Sequence, residues 1–466
     1  MGRRVSGREG YLAARVLNAL LREDYGRLSS RVRRDREGVS VTLAGGRLVR
    51  LVPGVLFQDF VVASFERLRL GEVLDTLRAV ADPGDEVEAF TLECAAALAG
   101  LELHDRHRDE VLARNPSPEA LAAFHDHPIY PTSRARVGMS IQDLPAYAPE
   151  FYPSFQLRWA KVPGFAEEFP VHPLTVAEVR KIDGVVLSDE PRVSVRPTLS
   201  MRTVELDPRT HLKLPLPIST LGVRNRRSIK PGTLEDGARA ELLLRDLADP
   251  DVLIADEQTY AHSGHEYLAW MTRRLPEGEI VPVAGLSDRR LLPAYLRILF
   301  VWNVRLFVRY GVALEAHQQN LSLVLADGLK LLVKDNDGLL ASPTRLRAAG
   351  IEVPTFSDER MLTDDPHALA DVFVTITLHL AAAAVAFRLL PHERAAALLR
   401  DTLAAALDEY GDDPMARLLR ARTLEAARLT GKSMITAGTL VPKERTGARD
   451  VNKYYGTSGP NYLRRA

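Results

Sequence analysis

Two apolar runs, Leu321 to Ala326 and Leu329 to Val333, meet at Asp327-Gly328. A strand pair closed by that dipeptide leaves little freedom over which residues face each other. Read as a two-residue turn, it sets Ala326 opposite Leu329 and, at a constant sum of positions, Asn320 opposite Asp335. An amide oxygen beside a carboxylate at the open end of a hairpin is the hard-oxygen pair that Mg²⁺ accepts, with phosphate oxygens and water completing its shell. Glu315 and His317 arrive just before the first strand and extend the polar wall. The plainer alternative is that Asn320 and Asp335 only cap strand ends, and Asp337 rivals Asp335 as a ligand. Polar groups fill every position from Glu315 to Asn320 except Ala316, which favours a site.

A second hairpin is expected in SMRTVELDPRTHLKLP, with Asp207-Pro208-Arg209-Thr210 as its connection. That register opposes Val204 to Lys213, and period-two alternation puts Ser200, Arg202 and Lys213 on one face. Next along the chain, Ser219 reads as a helix N-cap, with Thr220 and Arg224 four apart near the positive end of the dipole. The set suits a triphosphate; the alternative is a solvated sheet face.

At 466 residues the chain is too long for one growing core, so two or three subdomains are expected. Lys+Arg equals Asp+Glu at 61 each, so no global field favours nucleic acid or an anionic membrane. The one cysteine, Cys94, lies in the apolar run LECAAALAGL and reads as a buried thiol. Apolar positions near Leu12 to Leu21 are helically spaced, unlike a secretion signal, and Gly45-Gly46 reads as a hairpin turn. Ser117-Pro118 reads as the start of a short helix delivering the chain into FHDHPIYP. The longest apolar stretch, Val372 to Phe387, carries Thr375, Thr377 and His379 and is shorter than the roughly 20 residues a membrane span needs. It reads as a buried helix of a cytoplasmic protein. Residues 1–110 are expected to form one mixed subdomain, 111–275 a strand-rich one, and 276–466 a helical one ending in the polar tail KYYGTSGPNYLRRA. The fold class is α+β.

The pieces His127-Pro128, Ser200-Met201-Arg202-Thr203, Lys213, Thr220, Arg224, Glu315-Ala316-His317-Gln318-Gln319-Asn320 and Lys334-Asp335 stand in an order that resembles the NRPS-independent siderophore synthetase family, of the IucA/IucC (aerobactin synthetase) type. YAPEFYPSFQLRWAKV, His172-Pro173 and the segment GKSMI at Lys432 extend the resemblance over most of the chain. It implies a thumb, fingers and palm architecture, mixed antiparallel sheets with a largely helical C-terminal palm, and ATP with Mg²⁺ held between fingers and palm.

By resemblance, Arg224, His317 and Thr220 are catalytic. Ser200, Arg202, Thr203, Lys213 and Gln319 bind nucleotide; His127, Tyr130 and Arg134 bind the acid; and Glu315, Asn320 and Asp335 serve the metal. The loop departs from the family pattern: Asp126 precedes His127, Tyr130 replaces a second histidine, and Arg134 stands where lysine is usual. Lys334-Asp335 replaces an Arg-Asp pair, losing the planar guanidinium fork.

The expected activity is ATP-dependent adenylation of a small carboxylic acid, such as citrate or a dicarboxylate, followed by capture with an amine or hydroxylamine-type nucleophile. A homodimer is the family expectation, with no nucleic acid and no membrane as partner. The rival readings are a kinase-like phosphotransferase, which would make ADP, and a non-catalytic nucleotide-binding relative.

Overall fold

A computed structural model describes residues 7–188, 190, 192–448 and 454–464. The N-terminal helix Gly7–Arg22 forms because Leu12, Ala13, Val16, Leu17, Ala19 and Leu20 recur at helical spacing, and all six are fully buried. It packs with helices Leu70–Val80 and Val87–Ala113 on a four-stranded antiparallel sheet, ordered Val32–Asp35, Gly38–Thr42, Leu48–Pro53, Phe60–Val62. The turn expected at Gly45-Gly46 is present, with Gly46 at φ +79. Cys94 is buried in this core as expected.

The middle of the chain builds an eight-stranded sheet. Its main path runs Asp256–His262, Ala269–Arg274, Thr210–Lys213, Thr203–Asp207, Val193–Pro197, Phe155–Lys161, Phe169–Val171, and every pair is antiparallel. A third sheet joins Val252–Ile254, Gly328–Val333, Leu321–Ala326 and Glu279–Pro282, with only the first pair parallel. Helices Leu292–Arg305, Pro366–Leu389 and His392–Asp408 cover it in the largest core. Helix Pro366–Leu389 is long and apolar enough to cross a membrane by length and composition, yet most of it is buried inside the protein. Its His379 donates from Nε2 to the Thr430 carbonyl (2.9 Å) and accepts at Nδ1 from the Tyr462 hydroxyl (2.8 Å).

Core membership cuts across the chain order. Ala240, Leu243 and Leu244 of helix Thr233–Asp246 belong to the C-terminal core, while Ile435 and Leu440 complete the N-terminal one.

Three local expectations are corrected. The Asp327 turn is tighter than expected: Ala326 pairs with Gly328 (φ +110), so Asn320 stands opposite Lys334, not Asp335. In the second hairpin a bulge between Glu205 and Asp207 absorbs one residue, and Lys213 therefore pairs with Thr203 while Val204 faces Leu212. Ser219-Thr220 caps no helix; it is a short strand paired with Arg136–Val137, an arrangement set by a partner some eighty residues earlier in sequence. The polar tail is packed: strand Thr457–Pro460 pairs with Arg428–Gly431, and Asn461, Tyr462 and Leu463 are buried. Lys453, Arg465 and Ala466 of that tail lie outside the described residues.

Candidate active site

A cavity of about 260 Å³ opens where the ends of the eight-stranded sheet and of the sheet holding Leu321–Ala326 and Gly328–Val333 meet the loop 123–138. One wall is the segment Glu315 to Asn320. It is folded back by hydrogen bonds from the His317 amide to the Glu315 carbonyl (3.0 Å) and from the Asn320 amide to the His317 carbonyl (2.8 Å). These turns set Glu315, His317, Gln318, Gln319 and Asn320 along the cavity. Asp335 reaches the same wall despite the corrected register, because its backbone leaves the ladder in the left-handed region at φ +62. A one-residue slip reverses side-chain facing along a strand, and this kink undoes that reversal at the strand end.

Lys213 is the buried support of this wall. Its side chain is 2% exposed, and its ammonium bonds both Asp335 and, at 3.1 Å, Asp337. Burial alone would raise the Asp335 carboxyl. Lys213, then Arg202 and Arg273, hold it far below the usual carboxylate range. Behind it, Arg273 Nε donates to Glu257 (2.5 Å), and that carboxylate also accepts the Asp335 amide (2.9 Å).

Two guanidinium groups of a different kind line the same cavity. Arg202 donates to the Ser228 carbonyl (3.2 Å) and Arg227 to the Ser200 carbonyl (3.5 Å), yet among the described residues neither forms an ion pair. The Nε of each is buried without a hydrogen-bond partner. Burial, and next the neighbouring Arg202, push the Arg227 guanidinium down to about 9, against the pull of Asp335 and Asp337. Two half-buried cations side by side, without a close ion-pair partner among the described residues, favour an anion that joins them. This is a receptor for phosphate or carboxylate oxygens.

The loop end of the cavity is internally neutralised. Arg134 donates from Nε to Asp126 (2.6 Å) and lies 3.6 Å from Glu150, while Arg136 donates to the other Glu150 oxygen (2.8 Å). Asp126 also accepts the Tyr11 hydroxyl (2.7 Å). Burial would raise the Asp126 carboxyl, but Arg134 and then Arg15 bring it to about 2. His127 accepts the Tyr130 amide at Nδ1 (3.0 Å), which leaves its proton on Nε2. Burial and then His317 push it down to about 3; burial and then Lys432 push His317 to about 4. Both imidazoles are neutral at pH 7.

Of the residues expected at a site, Ser200, Arg202, Thr220, His127, Arg134, Glu315, His317, Gln319, Asn320 and Asp335 line one cavity. Lys213 acts from behind it. Three do not line it. Thr203 is buried in its strand, its amide bonding Ser200 Oγ (3.1 Å). The Tyr130 hydroxyl is turned into the protein onto Glu93 (2.8 Å). Arg224 donates to Glu86 (2.5 Å) and the Ala437 carbonyl (3.2 Å), joining distant parts of the chain.

The residue missed was Arg227. Its backbone pairs with Leu216 and Ile218, so alternation sends Arg226 outward to Glu266 and Tyr267 and Arg227 inward. Four arginines between 224 and 239 offered the signal, but a helical reading of Ser219 to Arg224 selected the wrong one. Lys432, 3.5 Å from Glu315, and Asn225 also line the cavity.

Among the described residues no group of three or more His, Cys, Asp and Glu is placed to hold a metal ion. Asn320 and Asp335 offer two oxygens, a set that suits Mg²⁺ only when phosphates supply most of the shell.

The sequence matches two family models: one described as IucA / IucC family over residues 119–165, and one described as Ferric iron reductase FhuF-like transporter over 289–445. Over 307 residues it is 23% identical to the L-2,3-diaminopropanoate--citrate ligase of Staphylococcus aureus, covering 47% of this chain and 53% of that protein. The chain spans about half the length of the curated relatives it matches. Two solved structures superpose along nearly all of it. The petrobactin biosynthesis protein AsbB of Bacillus anthracis has a TM-score of 0.76 at 16% identity, covering 99% of this chain and 96% of that one. ATP-bound aerobactin synthetase IucA of Klebsiella pneumoniae has a TM-score of 0.70 at 16% identity, covering 98% and 100%. The fold is therefore that of the siderophore-building synthetases, mixed helices with antiparallel sheets. Taken with the sequence matches, it supports the NRPS-independent siderophore synthetase family, of the IucA/IucC type.

Proposed function

We propose that the protein is an ATP-dependent ligase that joins a small carboxylic acid to an amine or hydroxyl nucleophile through an acyl-adenylate. The observation that carries this reading is the cation pair Arg202 and Arg227, without an ion-pair partner among the described residues, lining one cavity with a wall of oxygen and amide groups. Phosphoryl transfer needs cations where charge develops and in-line placement more than a protein nucleophile.

In the first step a carboxylate oxygen of the acid attacks the α-phosphorus, the bond to the bridging oxygen breaks, and pyrophosphate leaves with the electron pair. Arg202 and Arg227 hold the charge that builds on the phosphorus oxygens. In the second step the nucleophile's lone pair attacks the acyl carbon, AMP leaves, and the nucleophile's proton is released. His127 and His317, neutral at pH 7, orient substrates by hydrogen bonds without adding charge. Lys213 keeps Asp335 ionised and fixed. When bound, Mg²⁺ would neutralise phosphate charge beside Asn320 and Asp335. Glu315, set against Lys432, is the weaker ligand of the three expected.

The division into thumb (1–110), fingers (111–275) and palm (276–466), a cytoplasmic location and a homodimer belong to this proposal. A reductase whose redox centre is held by cysteine thiolates is not assembled from residues 289–445, which contain no cysteine.

The deciding experiment is nucleotide product analysis with ATP, Mg²⁺, hydroxylamine and a panel of small acids. AMP, pyrophosphate and a hydroxamate are expected. ADP would establish a phosphotransferase instead, and nucleotide binding without turnover a non-catalytic relative.

A further inference from the structure

Among the described residues none before Ala122 lines the cavity, yet two N-terminal helices grip the loop that carries His127. From helix Gly7–Arg22, Arg15 donates through Nη2 to the carbonyls of His127 (2.6 Å) and Tyr130 (2.7 Å), and through Nε to that of Pro131 (3.5 Å). One turn earlier on the same face, Tyr11 donates to Asp126. From helix Val87–Ala113, Glu93 accepts the hydroxyls of Tyr130 (2.8 Å) and Thr132 (2.6 Å). Carbonyl dipoles that converge on one point repel each other, and a guanidinium placed among them offsets that cost. Within the same turn the amides of Ile129 (3.3 Å) and Tyr130 (3.0 Å) both donate to His127 Nδ1. Residues 127 and 130 are thus joined twice, by the guanidinium across their carbonyls and by the imidazole onto the Tyr130 amide. With Nδ1 an acceptor, the ring proton is held on Nε2.

We infer that Arg15 is a positioning residue for the acid: by bridging the carbonyls of His127 and Tyr130 it keeps the His127 imidazole in one tautomer, with Nε2 as its one ring donor. A donor at a fixed atom suits an oxygen acceptor of the acid. Without the guanidinium the carbonyls lose their shared partner, the turn 127–130 opens, and Nδ1 is released from the Tyr130 amide. The ring then exchanges tautomers, while the nucleotide contacts at Arg202 and Arg227 are untouched. This rests on the ligase reading with the acid at the loop end, which the test keeps separate.

Full-length protein with isotope-labelled histidine reads this directly, because long-range proton–nitrogen correlation spectra separate the two ring tautomers. The His127 signals are assigned by their loss in His127→Gln, and His379, buried in the C-terminal core, is the internal reference. The wild-type protein is expected to show His127 protonated at Nε2 alone; a ring protonated at Nδ1 overturns the inference at once. In Arg15→Met, His127 is expected to become a mixture of tautomers while His379 stays unchanged. A His127 spectrum that does not move in the folded variant overturns the inference. In hydroxamate assays the same variant is expected to raise KM for the acid about tenfold and to leave KM for ATP within about twofold. Equal losses for both substrates, or for neither, overturn the positioning role. Should Arg15→Met not fold, Arg15→Lys, which keeps the charge but not the fork, takes its place. An acid KM raised about threefold with a detectable Nδ1-protonated fraction then supports the inference, and wild-type values overturn it. If no acid yields a hydroxamate the ligase reading fails, and the His127 spectrum alone decides what Arg15 does.

Discussion

Arg227 and Arg224 are three positions apart and chemically identical, and the fold gives them opposite tasks. Arg227 is a half-buried cation, its Nε buried without a partner, whose natural counter-ion is a ligand. Arg227→Met is expected to lower kcat/KM for AMP formation by about a hundredfold or more. It should also leave the thermal midpoint unchanged or raise it, because a half-buried charge without an ion-pair partner has been removed. Retained activity in the folded variant would take the pair out of the chemistry. Arg224→Ala is expected to act the other way. It would lose about 1 kcal/mol of stability, from hydrogen bonds to Glu86 and Ala437, while turnover persists. Lys213→Met strands Asp335 and Asp337 without their shared ammonium and should remove about 3 kcal/mol or more from urea-unfolding stability. A much smaller loss would show that Arg273, 3.8 Å from Asp335, neutralises it alone. Residue types were the most readable layer of the sequence, since His127, Ser200, Arg202, His317 and Asn320 do converge. The orientation of a given arginine was not readable, because strand alternation decides it and the strand's partners lie elsewhere in the chain.

At the scale of elements, both site hairpins were legible in existence and wrong in register by one residue. The bulge before Asp207 and the tight turn at Asp327 are backbone choices among near-equal alternatives, and local composition does not separate them. The errors were survivable for Asp335 only because of its left-handed backbone. The Ser219 region shows the converse: good capping chemistry overruled by pairing with Arg136–Val137. After that strand, Leu221 (φ +56) and Gly222 (φ +114) turn the chain beside residue 438. A β-carbon at Gly222 would lie 2.8 Å from Gly438 backbone atoms, at a backbone angle that side chains rarely adopt. Gly222→Ala is therefore expected to lose about 2 kcal/mol or more in chemical denaturation, and to impair the site through Thr220 and Asn225. Unchanged stability would mean that the two segments separate easily.

The molecule as a whole carries an acid liability. His104 is pushed down to about 4, and His172, His211 and His379 to about 3, in each case chiefly by burial. Unfolded, each would take a proton near its ordinary value of about 6.5. Their contribution is therefore fully present above pH about 6.5 and is lost progressively as pH falls toward 3, by up to about 1.4 kcal/mol per pH unit for each group. His127 and His317, also pushed down chiefly by burial, add to these four, while Glu205, raised to about 7 chiefly by burial and then by Glu119, works in the opposite direction over part of that range, as do Glu93 and Glu257, raised chiefly by burial. The urea midpoint is expected to fall steeply between pH 6.5 and 5; a flat profile there would show that these imidazoles are hydrated.

Ile435 and Leu440 sit in the core begun by Leu12 and Cys94, the Thr457 hydroxyl bonds the Arg22 carbonyl (2.5 Å), and Glu23 accepts the Ile435 and Thr436 amides. On a translating ribosome, the helices of the first hundred residues would emerge with part of their apolar surface lacking its partner. They would wait until the segment from Ile435 to Thr457 had followed. Such a protein is expected to depend on holding chaperones during synthesis, and to be more vulnerable to a stalled ribosome than to a surface mutation.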